Sequence, residues 1–236
     1  MNNYSGKSPR RESAVELREA AVWLFDLDNT LYPPSNNVFR QIEKRMTEYV
    51  ATYLGVELEE AFAVQKSYFR EFGTTMRGMM SRHGMDPAPF LEFVYTIDLG
   101  DMAPSPSLDA VLGCLPGRKL IFTNASAAHA GRVMERLGVS HHFDDVFDIA
   151  DAEYAPKPEP SVYSKLVERH GLDPPRTVMI EDVVHNLEPA AALGMTTVWL
   201  PPGPRPEPLE EEFSYVDHVI DDLVGWLEGV AVGAGA

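Results

Sequence analysis

Short, continuous apolar runs recur along the chain and predict the strands of a sheet that is buried on both faces. Between these runs, apolar residues are spaced as they are in amphipathic helices. Strands and helices that alternate in this way form α/β domains, so we predict a doubly wound, mainly parallel sheet of the Rossmann-like class. The predicted strands are 21–25, 119–122, 146–149, 177–180 and 196–200, and the clearest helices between them are 108–115, 127–137 and 162–170.

One long stretch, residues 35 to 99, breaks this alternation because its apolar residues follow helical spacing. We predict a helical cap domain at 35–99, inserted into a discontinuous α/β core that consists of 21–34 and 100–228. The cap begins a few residues after the first strand, where a hinged lobe can close over a ligand and expel water. Residues 1–20 and 229–236 are expected to be flexible termini.

The charge balance narrows the range of partners. Asp and Glu number 36 against 20 Lys and Arg in 236 residues, which gives a formal net charge of −16. Such a charge repels nucleic-acid backbones and anionic lipids, so neither polymeric nucleic acid nor a membrane is an expected partner. A small phosphorylated metabolite is compatible with it, because a metal or a few local cations can reverse the field inside one pocket.

We expect a soluble, cytoplasmic protein that is a monomer or a homodimer. The sequence has no apolar run long enough to cross a bilayer, and its N-terminus lacks the apolar segment of a secretory signal. The single cysteine, Cys114, cannot form an internal disulfide, and we expect it to be a small buried residue.

Two carboxylates, Asp26 and Asp28, directly follow the first predicted strand. Open α/β sheets bind their ligands at the carboxyl ends of their strands. One carboxylate there can attack phosphorus and bind a divalent cation, while the other protonates the leaving oxygen and later activates water. Taken alone, the pair is equally compatible with a polar loop or a helix cap, since Asp and Asn are common at both.

Further polar residues follow the other strands. Thr123 and Asn124, a hydroxyl and an amide suited to phosphate oxygens, come after the second strand. Lys157 lies between prolines that restrict its backbone, and Glu181 and Asp182 follow the strand that ends at residue 180. Each has an ordinary alternative, a surface lysine or an acidic loop. Their joint placement at strand ends makes the stronger case for a magnesium-dependent site.

Together these four motifs resemble the haloacid dehalogenase superfamily, and the resemblance covers about residues 21 to 225. It implies that Asp26 is the nucleophile of an aspartyl-phosphate mechanism and that Asp28 is the general acid and base. It also implies that Thr123 and Lys157 contact the phosphate. Asp28 favours phosphoester hydrolysis, because relatives that remove halogens lack this second aspartate.

The same resemblance implies a Mg²⁺ cofactor. Asp26 and Asp182 would bind the ion through their carboxylates and Asp28 through its backbone carbonyl. Glu181 and Asn186 would lie close behind the metal, through water or hydrogen bonds. Many relatives have a second aspartate at the position of Asn186, which leaves the role of that residue open.

Within the superfamily, the chain is most similar to the pyrimidine 5′-nucleotidase group. The segments that carry this similarity are 25–32, the cap stretch 72–79, and 122–125 with His129 and Ala130. It implies UMP- or CMP-like substrates. Arg77 is the leading candidate for a substrate contact from the cap, because a guanidinium can bind phosphate or stack on a base, and Asn124 is the candidate from the core. Arg77 is equally compatible with a structural role on its helix.

Other functions fit the same motifs. The first alternative is a phosphatase for another small metabolite, such as phosphoglycolate or a sugar phosphate. A phosphomutase is a second, and a non-catalytic phosphate-binding module on the same fold is a third. A zinc site is not expected, because His129, His141, His142 and His185 show no recognisable ligand spacing and no cysteines support them.

Overall fold

The central feature of the fold is a parallel sheet, seen in a computed structural model that describes residues 17–203 and 213–232. Its strand order is β3-β2-β1-β4-β5-β6. This doubly wound sheet confirms the predicted fold class. The strands are β1 (Val22–Phe25), β2 (Arg118–Phe122), β3 (Asp145–Phe147), β4 (Thr177–Glu181), β5 (Thr196–Trp199) and β6 (His218–Val219). The last strand was not predicted, because two residues are too few to show an apolar pattern.

Strand β1 occupies the centre of the sheet and is buried along its whole length. It pairs in parallel with β2 on one side and with β4 on the other, so that Phe25 lies opposite both Ile121 and Ile180. The chain therefore reverses its direction of winding at β1, which is where open sheets of this kind form their ligand crevice. The residues that follow these three strands meet at one edge of the sheet.

Helices cover both faces of the sheet. On one face, α5 (Pro106–Cys114), α6 (Ala127–Leu137) and α9 (Leu223–Val232) pack against Trp23 and Phe25. On the other face, α7 (Pro160–His170) and α8 (Glu188–Ala192) pack against Val22 and Leu24. The side chains of β1 thus alternate between two apolar layers, as a strand with two buried faces requires.

Four helices lie between β1 and α5, within the stretch predicted as a cap. They are α1 (Val38–Leu54), α2 (Leu58–Phe72), α3 (Thr75–His83) and α4 (Pro87–Val94). Gly73 ends α2 with a φ of 81°, a conformation that glycine adopts without strain. Among the described residues, no helix is long and apolar enough to span a membrane.

Residues at the inner edge of both predicted termini belong to the described part of the chain. Leu17 is buried and begins a 3₁₀ turn, Leu17–Glu19, and α9 continues to Val232 around the buried Leu227. Apolar contacts with the core therefore extend to the edges of both predicted termini. Their flexibility stays a prediction, and residues 1–16 and 233–236 lie outside the described residues. Cys114 is exposed, contrary to expectation, because it is the last residue of α5.

Candidate active site

The candidate site lies at the carboxyl edge of the sheet, where the ends of β1 and β4 meet the loop before α7. The ammonium group of Lys157 donates three hydrogen bonds there. They go to Oδ1 of Asp26 at 2.8 Å, to Oε2 of Glu181 at 2.7 Å and to the carbonyl of Phe122 at 2.8 Å. The side chain of Asp26 is 10% exposed, and those of Lys157 and Glu181 are 1% exposed. Residues from three separate motifs therefore form one buried, connected group.

Negative charge exceeds positive charge in this group. Burial, and then the neighbouring Glu181, raise the pKa of Asp26 from 3.8 to about 7, although Lys157 acts in the opposite direction. Burial alone would lower the pKa of Lys157, but the carboxylates of Asp26 and Glu181 outweigh it and raise that pKa above its usual value. Lys157 is thus a permanent cation, and one cation is not enough to stabilise the carboxylates around it.

Asp182 adds a third carboxylate to the group. Ligand oxygens from Asp26, Glu181 and Asp182 lie within 4.8 Å of one another, and all three residues are buried. Burial, followed by Asp26 and Glu181, raises the pKa of Asp182 well above its ordinary value. Hard oxygen ligands that lack a compensating charge are suited to Mg²⁺, so the donor set fits the implied cofactor.

Within this set, Glu181 differs from the two aspartates. One of its oxygens accepts the hydrogen bond from Lys157, and the other accepts one from the backbone N–H of Val183 at 3.2 Å. Asp26 and Asp182 are therefore the better candidates for direct ligands, which is compatible with the predicted place of Glu181 behind the metal. Asn186 is also buried, and its role near the metal stays a prediction.

The side chain of Asp28 is held by a different set of residues. Its Oδ1 accepts a hydrogen bond from the Tyr32 hydroxyl at 2.5 Å and contacts Nε2 of His129 at 2.9 Å. The His129 ring stacks on Tyr95 with 4.6 Å between the ring centroids. Burial, and then the Asp28 carboxylate, raise the pKa values of Tyr32 and Tyr95, so both phenols stay neutral and Tyr32 acts as a donor.

The sequence interpretation missed these partners of Asp28. It connected neither Tyr32 nor His129 with Asp28. One signal was available for His129: it lies in the first turn of α6, the helix that follows β2, and such first turns start at the catalytic edge of an α/β sheet.

Thr123 and Asn124 lie where the motif predicts, at the end of β2. Thr123 is buried, and its Oγ1 accepts a hydrogen bond from the N–H of Ala125 at 3.0 Å. The side chain of Asn124 binds the backbone of Lys157 twice, accepting from its N–H at 2.8 Å and donating to its carbonyl at 3.4 Å. Asn124 thus fixes the loop that carries the cation. The predicted contacts of Thr123 and Asn124 with substrate stay predictions.

Arg77 lies on α3 of the cap and reaches the core. Its Nη1 forms an ion pair with Oε2 of Glu159 at 3.0 Å, and both side chains are partly exposed. Glu159 follows Lys157 by two residues and lies just before α7. In this structure Arg77 therefore joins the helices of the predicted cap to the loop that carries Lys157, while its predicted contact with a substrate stays a prediction.

A buried carboxylate at a strand end, a lysine bound to it and a carboxylate cluster beside them agree with the site that the four motifs predict. The family comparison agrees: residues 21–194 match the model of the haloacid dehalogenase-like hydrolases. The chain belongs to this family, which confirms the superfamily inferred from the four motifs.

Three relatives are 27–31% identical to this chain over the aligned residues. Phosphate metabolism protein 8 of Saccharomyces cerevisiae is 28% identical over 74% of this chain and 59% of its own length. A glyceraldehyde 3-phosphate phosphatase of Methanocaldococcus jannaschii is 27% identical over 85% of this chain and 92% of its own length. The fructose-1-phosphate phosphatase YqaB of Escherichia coli is 31% identical over 45% of this chain and 57% of its own length.

Solved structures support the fold. A HAD phosphatase from Thermococcus onnurineus superposes with a TM-score of 0.60 at 20% identity, over 91% of this chain and 97% of that one. A 2-haloacid dehalogenase from Pseudomonas syringae superposes with a TM-score of 0.57 at 18% identity, over 92% of this chain and all of that one (100%). At these identities the likeness concerns the fold.

The crowding of buried carboxylates leads to a stability prediction for Asp182→Asn. With divalent ions removed, the variant should melt at a higher temperature than the wild type, by roughly 2–4 °C for ~1 kcal/mol of relieved repulsion. A carboxyl whose pKa is raised by folding destabilises the folded state when ionised, so the gain should be larger at pH 9 than at pH 6. Thermal melts with a chelator at both pH values measure it.

The matched control is Asp221→Asn, an exposed aspartate outside the cluster, which should leave the melting temperature unchanged. A gain for Asp182→Asn that is equal at both pH values, or a loss at pH 9, would contradict the electrostatic explanation.

Proposed function

We propose that this protein is a Mg²⁺-dependent phosphatase that hydrolyses small phosphate monoesters through an aspartyl-phosphate on Asp26. The observation that carries the proposal is that Asp26 and Asp28 have different hydrogen-bond partners. Asp26 lies among Lys157 and the acidic cluster, whereas Asp28 is bound by Tyr32 and His129. These different surroundings support the attack on phosphorus by Asp26 and the transfer of protons by Asp28.

The first half of the reaction forms the covalent intermediate. A carboxylate oxygen of Asp26 bonds to phosphorus while the bond between phosphorus and the ester oxygen breaks. Asp28, protonated at this stage, gives its proton to that oxygen, so the product leaves as a neutral alcohol. Lys157, fixed beside Asp26, stabilises the negative charge on the transferring phosphoryl oxygens.

The second half regenerates the enzyme. The Asp28 carboxylate takes a proton from a water molecule, whose oxygen attacks the phosphorus of the aspartyl-phosphate. The bond from phosphorus to Asp26 then breaks, and inorganic phosphate leaves. Asp26 is again a carboxylate and Asp28 again carries a proton, so the cycle closes.

Mg²⁺ would be held by the carboxylates of Asp26 and Asp182 together with the backbone carbonyl of Asp28, and it supplies positive charge that reduces repulsion between a phosphate and the acidic site. The raised pKa of Asp26 supports this requirement, because a phosphate dianion brought to the same site adds further negative charge.

Two features separate this proposal from its alternatives. Asp28 supplies the proton transfers that phosphoester hydrolysis needs, and by the family resemblance haloacid dehalogenases lack this residue. The intact set of Asp26, Asp28, Lys157 and Asp182 speaks against a non-catalytic binding module. Phosphate release into water, rather than transfer to a second sugar, would separate a phosphatase from a phosphomutase.

For the substrate, two classes are supported by different observations. The cap stretch 72–79 resembles that of pyrimidine 5′-nucleotidases and favours UMP or CMP. The named relatives that act on glyceraldehyde 3-phosphate and fructose 1-phosphate favour short sugar phosphates. A panel of nucleoside monophosphates and sugar phosphates, ranked by kcat/KM, decides between them.

Asp26→Asn tests the chemistry directly. We expect a loss of about 10³-fold or more in Mg²⁺-dependent phosphate release, because an amide cannot form the intermediate. Asp221→Asn is the control with the same chemical change at an exposed position. Normal phosphate release by a folded Asp26→Asn protein would refute the nucleophile assignment, and no release by the wild type on any substrate of the panel would refute the phosphatase.

Arg77 is tested by a pair of variants, Arg77→Ala and Glu159→Gln. If Arg77 binds substrate, Arg77→Ala should lower kcat/KM for UMP about tenfold more than for p-nitrophenyl phosphate, whereas Glu159→Gln, which frees the guanidinium, should not. Equal losses on both substrates in both variants would show that the ion pair serves only to hold the cap against the core.

A further inference from the structure

Packing alone does not explain why a histidine is buried at position 129. Its side chain is 0% exposed, and within the part of the chain that the structure describes its Nδ1 is buried without a hydrogen-bond partner. Leaving a buried polar atom unpaired costs about 1–3 kcal/mol. An apolar side chain of similar size would fill this space beside Tyr95 without that cost.

The polar contact that His129 makes is with Asp28, and it is directional. Both hydrogen bonds that described residues make to the Asp28 carboxyl, from Tyr32 and from His129, end on the same oxygen, Oδ1. Two donors on one oxygen fix the plane of a carboxyl group and leave Oδ2 to face elsewhere. The His129 ring is itself fixed by its stacking on Tyr95 at the end of α4.

We propose that His129 is a positioning residue for the general acid: through Nε2–H it holds Oδ1 of Asp28 so that Oδ2 delivers the proton to the leaving oxygen. The inference rests on the proposed function, because it takes Asp28 as the acid. Tyr32, which donates to the same oxygen, serves the same purpose. A misaligned acid transfers its proton less efficiently, and general-acid catalysis contributes typically about 10²–10⁴-fold.

The test is the dependence of kcat/KM on the leaving group. An alkoxide needs a proton to depart, whereas 2,4-dinitrophenolate does not. His129→Leu should therefore lose about 10- to 100-fold on an alkyl phosphate and no more than a few-fold on 2,4-dinitrophenyl phosphate. His129→Gln, whose amide N–H can replace Nε2–H, should recover most of the loss on the alkyl ester.

Asp28→Asn in the same assay separates two kinds of failure. If Asp28→Asn shows the leaving-group selectivity and His129→Leu loses activity equally on both esters, His129 has only a packing role and the inference is wrong. If Asp28→Asn itself loses both esters equally, the acid assignment in the proposed function is wrong.

A second, independent observation concerns Asp109, His141 and His142. The Nε2 atoms of His142 and His141 lie 2.8 and 3.1 Å from the same oxygen, Oδ1 of Asp109. The two rings are 4.0 Å apart between centroids. The sequence interpretation found no zinc site among the histidines, because it did not connect them with an aspartate on α5, more than thirty positions earlier.

The geometry of this trio is close to that of a metal site. Zinc ligands at ~2.0–2.1 Å in a tetrahedron are separated by about 3.3 Å, so the two nitrogens need to move only a few tenths of an ångström from the carboxylate oxygen. The side chain of His142 is 14% exposed, so its position is fixed by packing. The side chain of His141 is 65% exposed, so water can reach the site from that side.

The trio lies away from the catalytic edge. His141 and His142 form the 3₁₀ turn Ser140–His142, which leads into the amino end of β3, whereas the catalytic residues follow the carboxyl ends of strands. We propose that Asp109, His141 and His142 bind a divalent transition-metal ion of the Zn²⁺ class, which joins α5 to this turn. Two imidazoles and a carboxylate suit such ions better than Mg²⁺.

Isothermal titration with ZnCl₂, in a large excess of Mg²⁺ to occupy the acidic cluster, tests this site. The wild type should bind one equivalent more than the His141→Ala/His142→Ala variant, and its melting temperature should rise with Zn²⁺ while that of the variant does not. His83→Ala, which removes a histidine of the cap, is the control and should behave as the wild type. Equal stoichiometry and equal melting shifts in wild type and double variant would overturn the proposal.

Discussion

The buried ammonium of Lys157 is the interaction on which the catalytic edge depends. Three carboxylates meet there in a space that excludes most water, and such a group is unstable unless positive charge is built into it. Lys157 supplies one charge and uses three hydrogen bonds to fix its position. The remaining imbalance of charge is what the proposed metal ion would offset.

The sheet explains why these charges can be brought together at all. Strand β1 is apolar along its length and is buried between β2 and β4. The pairing of these three strands brings the residues that follow them to one edge of the sheet, and no attraction between those residues is needed. The cost of gathering like charges is met by apolar packing elsewhere in the core. This is the usual exchange between stability and activity in an enzyme site.

Local patterns in the sequence were enough to predict strands β1 to β5 and the residues that follow them. Asp26, Glu181 and Asp182 follow continuous apolar runs, and a parallel sheet places such ends together. The partners of side chains were not predictable in this way. His129 contacts Asp28 across 101 positions, and Arg77 on the cap meets Glu159 in the core, because tertiary packing decides which surfaces touch. The prediction that Cys114 is buried was wrong for a related reason. Apolar neighbours in the sequence do not show which side of a helix end faces solvent.

The placement of the cap between β1 and α5 has an evolutionary consequence. The chain leaves the α/β core soon after Asp26, the proposed nucleophile, and returns before the second strand. The four helices α1 to α4 are therefore an insertion between two neighbouring strands of an otherwise complete sheet. Helices in that insertion can be lengthened, lost or repacked while every strand keeps its register. The helices of this insertion can therefore change from one relative to another faster than the residues at the edge of the sheet, which β1 and Lys157 hold in place.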